Sequence, residues 1–232
     1  MRHIWPAALR RIAGRTATLA EPPWRRPSVV RLASLWAFPI LLGLAPSTPS
    51  QRTPLERHWV GTWAASPVPA GNNPAHFSNQ TLRLIVHTSI GGSQVRIHLS
   101  NTYGAGALNI GAVHAAIRKS ASEIVSGSDR PVTFSGRPSI SIPQGALVVS
   151  DPVSLSLPKL ADVAVSIYLP EAVTASTVHA MALETSYVSP SGDFTAAERL
   201  PQESTTITSW PFLTGVSVLA PGNARSVVAF GD

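Results

Sequence analysis

Between Thr81 and Leu169, apolar residues fall at every second position in short runs, and turn residues interrupt those runs every few positions. A chain written this way can bury its apolar side only by stacking one sheet on another. In 81–88, Leu82, Leu84, Val86 and Thr88 share one side, and Arg83, Ile85 and His87 share the other. Just downstream, Val95, Ile97 and Leu99 alternate against Arg96 and His98. The Gly-containing segment Ser89-Ile90-Gly91-Gly92-Ser93 between the two runs predicts a β-hairpin. Further strands are predicted over 108–116, 132–134, 139–142, 146–149, 153–157, 162–169, 178–188 and 212–218. Turn residues separate them, as in Gly104-Ala105-Gly106, Ser135-Gly136-Arg137-Pro138, Pro143-Gln144-Gly145 and Asp151-Pro152. No amphipathic helix of three turns is found, and 196–202 suits at most a short helical turn. The fold class expected is all-β, a two-sheet sandwich of jelly-roll type over 58–222.

The formal net charge of +6 invites a nucleic-acid reading, but the charge is unevenly placed. Residues 1–57 hold nine arginines and two glutamates, whereas residues 58–232 hold nine basic and ten acidic residues. The body therefore has no basic surplus to attract phosphates, and no nucleic-acid partner is expected. With no cysteine, thiol catalysis and thiolate metal sites are excluded.

The basic residues precede an apolar run of 14 residues, 32–45, which Pro39 interrupts. That is short for a bilayer span and suits the apolar region of a signal peptide. Ala45-Pro46-Ser47 offers small residues for cleavage, so the leader is assigned to 1–47 and a polar linker to 48–57. A single membrane anchor and a twin-arginine signal at Arg25-Arg26 are the competing readings. Export to the cell envelope or beyond is expected, with membrane contact only through the leader.

Candidate chemistry in the body is diffuse. His58, His76, His87, His98, His114 and His179 are available as bases, Ser89, Ser100 and Ser150 as hydroxyls, and Asp151, Asp162 and Asp193 as carboxylates. None sits in a recognisable nucleophile motif. His87 and His98, on the two arms of the predicted hairpin, could begin a metal site, but no third ligand is evident. Neither a metal nor another cofactor is expected. Trp59, Trp63, Tyr103, Tyr168, Tyr187 and Trp210 fit either a glycan-stacking platform or core and contact aromatics. Arg83 and Arg96 are expected to face outward, solvated or paired with another domain, and Asn101 to support a turn.

The last positions break the alternation. Val227-Val228-Ala229-Phe230 is continuously apolar, as a strand covered on both faces would be, and Gly231-Asp232 follows.

Several stretches together resemble the amino-terminal part of bacterial exported SGNH hydrolases, the G-D-S-L esterase/lipase family. They are Trp59-Val60-Gly61-Thr62-Trp63-Ala64-Ala65-Ser66-Pro67, Thr81-Leu82-Arg83-Leu84-Ile85-Val86-His87-Thr88-Ser89-Ile90-Gly91-Gly92, Val95-Arg96-Ile97-His98-Leu99-Ser100-Asn101-Thr102-Tyr103-Gly104, Ser150-Asp151-Pro152 and the terminal Val227–Asp232 segment. The resemblance spans roughly 58–232. It implies a β-sandwich preceding a flavodoxin-like α/β hydrolase domain, with 223–232 as the first strand of that domain. Gly231 and Asp232 match the two positions before the nucleophilic serine, which would be the next residue. The chain is thus expected to be an inactive front portion of a serine ester hydrolase, with that hydrolase domain as its partner. A carbohydrate-binding or structural accessory sandwich with a possible glycan ligand is the alternative.

Overall fold

The computed structural model describes residues 56–225, and every regular element among them is a β-strand. The leader, most of the 48–57 linker and the terminal segment with Gly231 and Asp232 lie outside the described residues. One sheet has four strands in the order His58–Ala64, Leu213–Ala220, Val95–Ser100 and Leu147–Val149. The other has seven. Thr205–Ile207, Ser186–Ser191, Gln80–His87, Asp162–Leu169, Ala112–Ser120 and Glu123–Ile124 lie in that order, and Arg130–Val132 also pairs with Ala112–Ser120. All the pairings in both sheets are antiparallel.

The predicted alternation becomes the core. Val95, Ile97, Leu99, Val216 and Val218 of the four-stranded sheet meet Leu82, Leu84, Val86, Val163, Val165 and Ile167 of the seven-stranded sheet in one buried cluster. Two antiparallel sheets sharing one apolar interior make a β-sandwich.

The predicted hairpin does not form. Gln80–His87 pairs with Asp162–Leu169 and Ser186–Ser191, whereas Val95–Ser100 pairs with Leu213–Ala220 and Leu147–Val149. The intervening segment instead crosses from one sheet to the other. Ser89 donates its backbone N–H to Thr62 O at 3.1 Å, and Thr88 donates its own to Ala161 O at 2.9 Å. The glycines serve close packing rather than a tight turn. A Cβ on Gly91 would stand 2.2 Å from Leu157 O, and one on Gly92 would stand 2.8 Å from Leu219 O.

Other boundaries shift for local reasons. The predicted 108–116 strand divides at Gly111 into Leu108–Ile110, paired with Ile140–Ile142, and Ala112–Ser120. The 178–188 prediction divides into Thr177–His179 and the start of Ser186–Ser191. In 153–157 the alternation is right, with Val153, Leu155 and Leu157 buried, but only isolated bridges to Val95 and Gly92 join it to neighbours. The 196–202 segment contains turns and no helix.

The outer face of the seven-stranded sheet is not wet. Ile85, Ala116, Ile124 and Ala164 form a second small apolar cluster there, with Tyr187 against it. Beside it lies Arg83, which the sequence places outward. It is outward from the main core yet fully buried, because 121–124 and 193–197 fold over it. Its Nε donates to Ser166 Oγ at 2.9 Å, Nη1 to Ser122 O at 2.6 Å and Nη2 to Ala197 O at 2.7 Å. Phe194 O and Thr195 O lie 3.3 and 3.4 Å from Nη2. Burial lowers the pKa of this guanidinium to about 10, so it stays charged at neutral pH.

Arg83→Leu should therefore lower the unfolding free energy by about 3 kcal/mol in urea titration, and a loss under roughly 1 kcal/mol would show that Arg83 does not hold the covering loops.

Candidate functional site

The outer face of the four-stranded sheet has a different character. Alternation along Val95–Ser100 puts Arg96 and His98 there, opposite the core residues Val95, Ile97 and Leu99. The same logic along Leu213–Ala220 puts Ser217 and Leu219 on that face, between the core residues Val216, Val218 and Ala220. Trp59 stands across from Leu219, and Val149 across from His98. Val149 is exposed, as is Leu147 two residues earlier on the same strand.

Arg96 and His98 organise this face. The Arg96 guanidinium carbon sits 4.3 Å from the centre of the Trp59 ring, a cation–π contact. Its Nε is buried with no hydrogen-bond acceptor among the described residues. Asp151 feels the Arg96 charge but is committed elsewhere. Gly136 N–H and Thr133 Oγ1 each donate to it at 2.7 Å, and Ser135 N–H donates at 3.1 Å. Those hydrogen bonds, led by that of Gly136, hold its carboxyl below the usual carboxylate range.

His98 Nε2 lies 2.9 Å from Ser217 Oγ. Burial, and then the Arg96 charge, lower the His98 pKa, so the imidazole is neutral at neutral pH and can accept the serine proton. A serine beside a neutral histidine is the start of a nucleophile, but acyl transfer also needs an orienting carboxylate and oxyanion donors. Among the described residues, no carboxylate is hydrogen-bonded to the His98 ring. Cβ, Cγ and Nδ1 of His98 instead abut the Gly215 backbone, where an added Cβ would lie 3.3 to 3.5 Å from them.

The serines singled out in the sequence serve the frame. Ser89 Oγ donates to Thr62 O, and Ser100 Oγ pairs with Thr102 Oγ1. Ser150 Oγ accepts from Ile97 N–H and donates to Asp151 O. Of the remaining histidines, His58 starts the strand His58–Ala64 opposite Ala220, and three others find separate partners. His76 meets Thr174, His179 meets Ser66 O and stacks on Trp210, and His87 lies 2.8 Å from Asp162. His87 and His98 belong to different sheets, so the expected pairing across a hairpin does not occur. Among the described residues, no group of three His, Cys, Asp or Glu is placed to hold a metal.

The closest approach to a triad is His114, 2.8 Å from Asp129, with Ser166 across the strand. There Arg83 Nε occupies the serine hydroxyl. Asp193 caps its own loop through Thr195. Asn101 supports a turn as expected. Its backbone oxygen accepts from Gly104 and Gly145, and its Nδ2 donates to Gly106 O and Ile142 O.

The six aromatics do not share a platform. Trp63 meets Trp210 edge to face at 4.8 Å, and the buried Trp210 indole donates to Ile85 O. Tyr168 donates to Asn79 on the seven-stranded sheet, Tyr187 packs on its outer cluster, and Tyr103 is exposed elsewhere. Only Trp59 belongs to the Arg96 face.

No family model matches the chain, and no curated protein matches it.

The depressed His98 pKa fixes a sign. The folded protein takes up a proton at His98 less readily than the unfolded chain does. This contribution is therefore neutral above the ordinary value of 6.5 and turns destabilising as pH falls below it. His98→Gln should make the melting temperature fall less steeply between about pH 6.5 and pH 5. Parallel melting curves for the two proteins would remove the assignment.

Proposed function

We propose that this chain is the amino-terminal β-sandwich of an exported serine ester hydrolase of the SGNH type, and that it supports a catalytic domain rather than performing the chemistry. One observation carries the accessory role: two of the resembling stretches and Ser150 meet on the four-stranded sheet, whose outer face no loop of the described residues is seen to bridge, while the stretch 81–92 lies in the other sheet. Trp59–Pro67 contains all but the first residue of the strand His58–Ala64, Val95–Gly104 contains the strand bearing Arg96 and His98, and Ser150 receives the Ile97 N–H beside them. On the opposite sheet the chain's own loops cover the outer face. On this sheet Arg96 keeps an unfilled buried donor next to Trp59, with Val149 and Leu147 exposed nearby. A second protein surface offering an acceptor and apolar contact would complete both needs. The ester chemistry rests on the resemblance, including Gly231-Asp232 ahead of the position of the nucleophile.

The coding sequence after codon 232 tests the first part. A serine codon is expected next, with an Asp-x-x-His block further on, and a stop codon in an intact gene would overturn the reading. For the second part, the isolated chain should hydrolyse p-nitrophenyl butyrate no faster than buffer. Turnover that a serine-directed inhibitor blocks and Ser217→Ala abolishes would make the sandwich itself the enzyme.

A further inference from the structure

The most exposed large apolar side chains of the described residues are gathered at one end of the seven-stranded sheet. They are Leu183 at 87%, Met181 at 72% and Leu160 at 65% exposed. The antiparallel register brings them together. Asp162 pairs with His87, and Val163 with Ile117, so Gln80–His87 and Ala112–Ser120 finish where Asp162–Leu169 begins. Ser186–Ser191 begins at that same end, since Tyr187 pairs with Arg83 and the Ser186 hydroxyl accepts from Ile85 N–H. The turns just before these two strands carry Leu160 and Met181–Leu183. Arg118 ties the turns to each other, its Nη1 lying 3.1 Å from both Asp162 and Glu184.

The backbone makes the leucines more unusual. Leu160 has φ 55° and Leu183 has φ 54°, both left-handed. Glycine or asparagine meets that conformation at lower cost, and an exposed leucine gains nothing from it in water. Each turn thus holds a residue disfavoured by both its backbone and its surroundings. Such outliers point to a contact made outside the isolated molecule.

We propose that this end of the sandwich docks on a lipid surface, with Leu160, Met181 and Leu183 entering the acyl boundary. Loop-borne apolar side chains suit shallow insertion. The same strand ends and turns carry charges of both signs, Arg118, His87, Asp162 and Glu184, joined by contacts of about 3 Å. Arg118 sits between two carboxylates, so this mixture suits zwitterionic headgroups rather than a strongly anionic membrane. The inference does not depend on the ester-hydrolase reading.

The chain has no cysteine, so single cysteines can be labelled specifically with an environment-sensitive fluorophore. Leu183→Cys, Leu160→Cys and, at the opposite end of the sheet, Ala172→Cys would be labelled in the full chain and mixed with phosphatidylcholine vesicles. Position-specific readout separates docking by this end from any binding by the apolar leader. A blue shift and intensity gain are expected at 183 and 160 and not at 172. Adding Met181→Asp and Leu183→Asp to the protein labelled at 160 should weaken the vesicle response roughly tenfold, as expected when buried apolar side chains become charged. No response at 160 and 183, an equal response at 172, or a response that survives the aspartates would overturn the proposal. Dimerisation in sedimentation with no vesicle response would assign these side chains to a second copy of the chain instead.

Discussion

The buried Arg83 guanidinium decides which side of this sandwich is closed. A cation taken out of water must find acceptors, and here they are backbone carbonyls from two separate loops together with one strand hydroxyl. Meeting that demand pulls 121–124 and 193–197 across the outer face of the seven-stranded sheet. Ile124 then reaches Ile85, Ala116 and Ala164, and the second apolar cluster forms under the same cover. The polar anchor and the apolar cluster support each other. Without the loops the cluster would face water, and the loops are held further by Phe194 N–H on Thr81 Oγ1, Val125 N–H on Ile117 O and Ile124 N–H on Glu198 O.

Much of the architecture was legible in the sequence, because period-two alternation survives folding almost unchanged. Leu82, Leu84 and Val86, like Val95, Ile97 and Leu99, point into the core as their spacing requires. Which strand pairs with which was not legible. Two alternating runs with a glycine-containing segment between them describe a hairpin and a crossover equally well. The choice here depends on contacts from remote residues, such as Thr62 and Ala161 holding Ser89 and Thr88. Alternation also proved a poor guide to wetness. Arg83 and Ser166 are polar positions on the outer side of their strands, yet both are buried, because polarity records the need for a hydrogen bond rather than for water.

The candidate site was legible only in pieces. Arg96, His98 and Trp59 stand out in the sequence as polar or aromatic residues on alternating strands. Ser217 does not, since its importance comes from strand register: Leu213–Ala220 lies beside Val95–Ser100 although more than a hundred positions separate them. The aromatics were ambiguous for a related reason. An indole can serve as a stacking surface or as filling, and only the edge-to-face contact of Trp63 with Trp210 and the bond to Ile85 O assign those two to the interior.

The two faces thus differ in what they still lack. On the seven-stranded sheet, each nitrogen of Arg83 finds an acceptor within the chain itself. On the four-stranded sheet, Arg96 has the same cationic group, a ring beneath it and a nearby carboxylate already filled by other donors, yet its Nε has no acceptor among the described residues. A buried donor left open destabilises the isolated protein, and that destabilisation ends when an acceptor arrives from outside. His98 keeps the charge of this face localised. Its pKa lowered by burial and by the Arg96 charge, it adds no second positive charge to the face at neutral pH. The Arg96 face thus carries an open polar donor at one fixed point, whereas Leu160 and Leu183 at the end of the other sheet expose apolar side chains. The difference has one physical origin: the loops that satisfy Arg83 close one outer face, while the turns at the end of that same sheet leave their leucines in water.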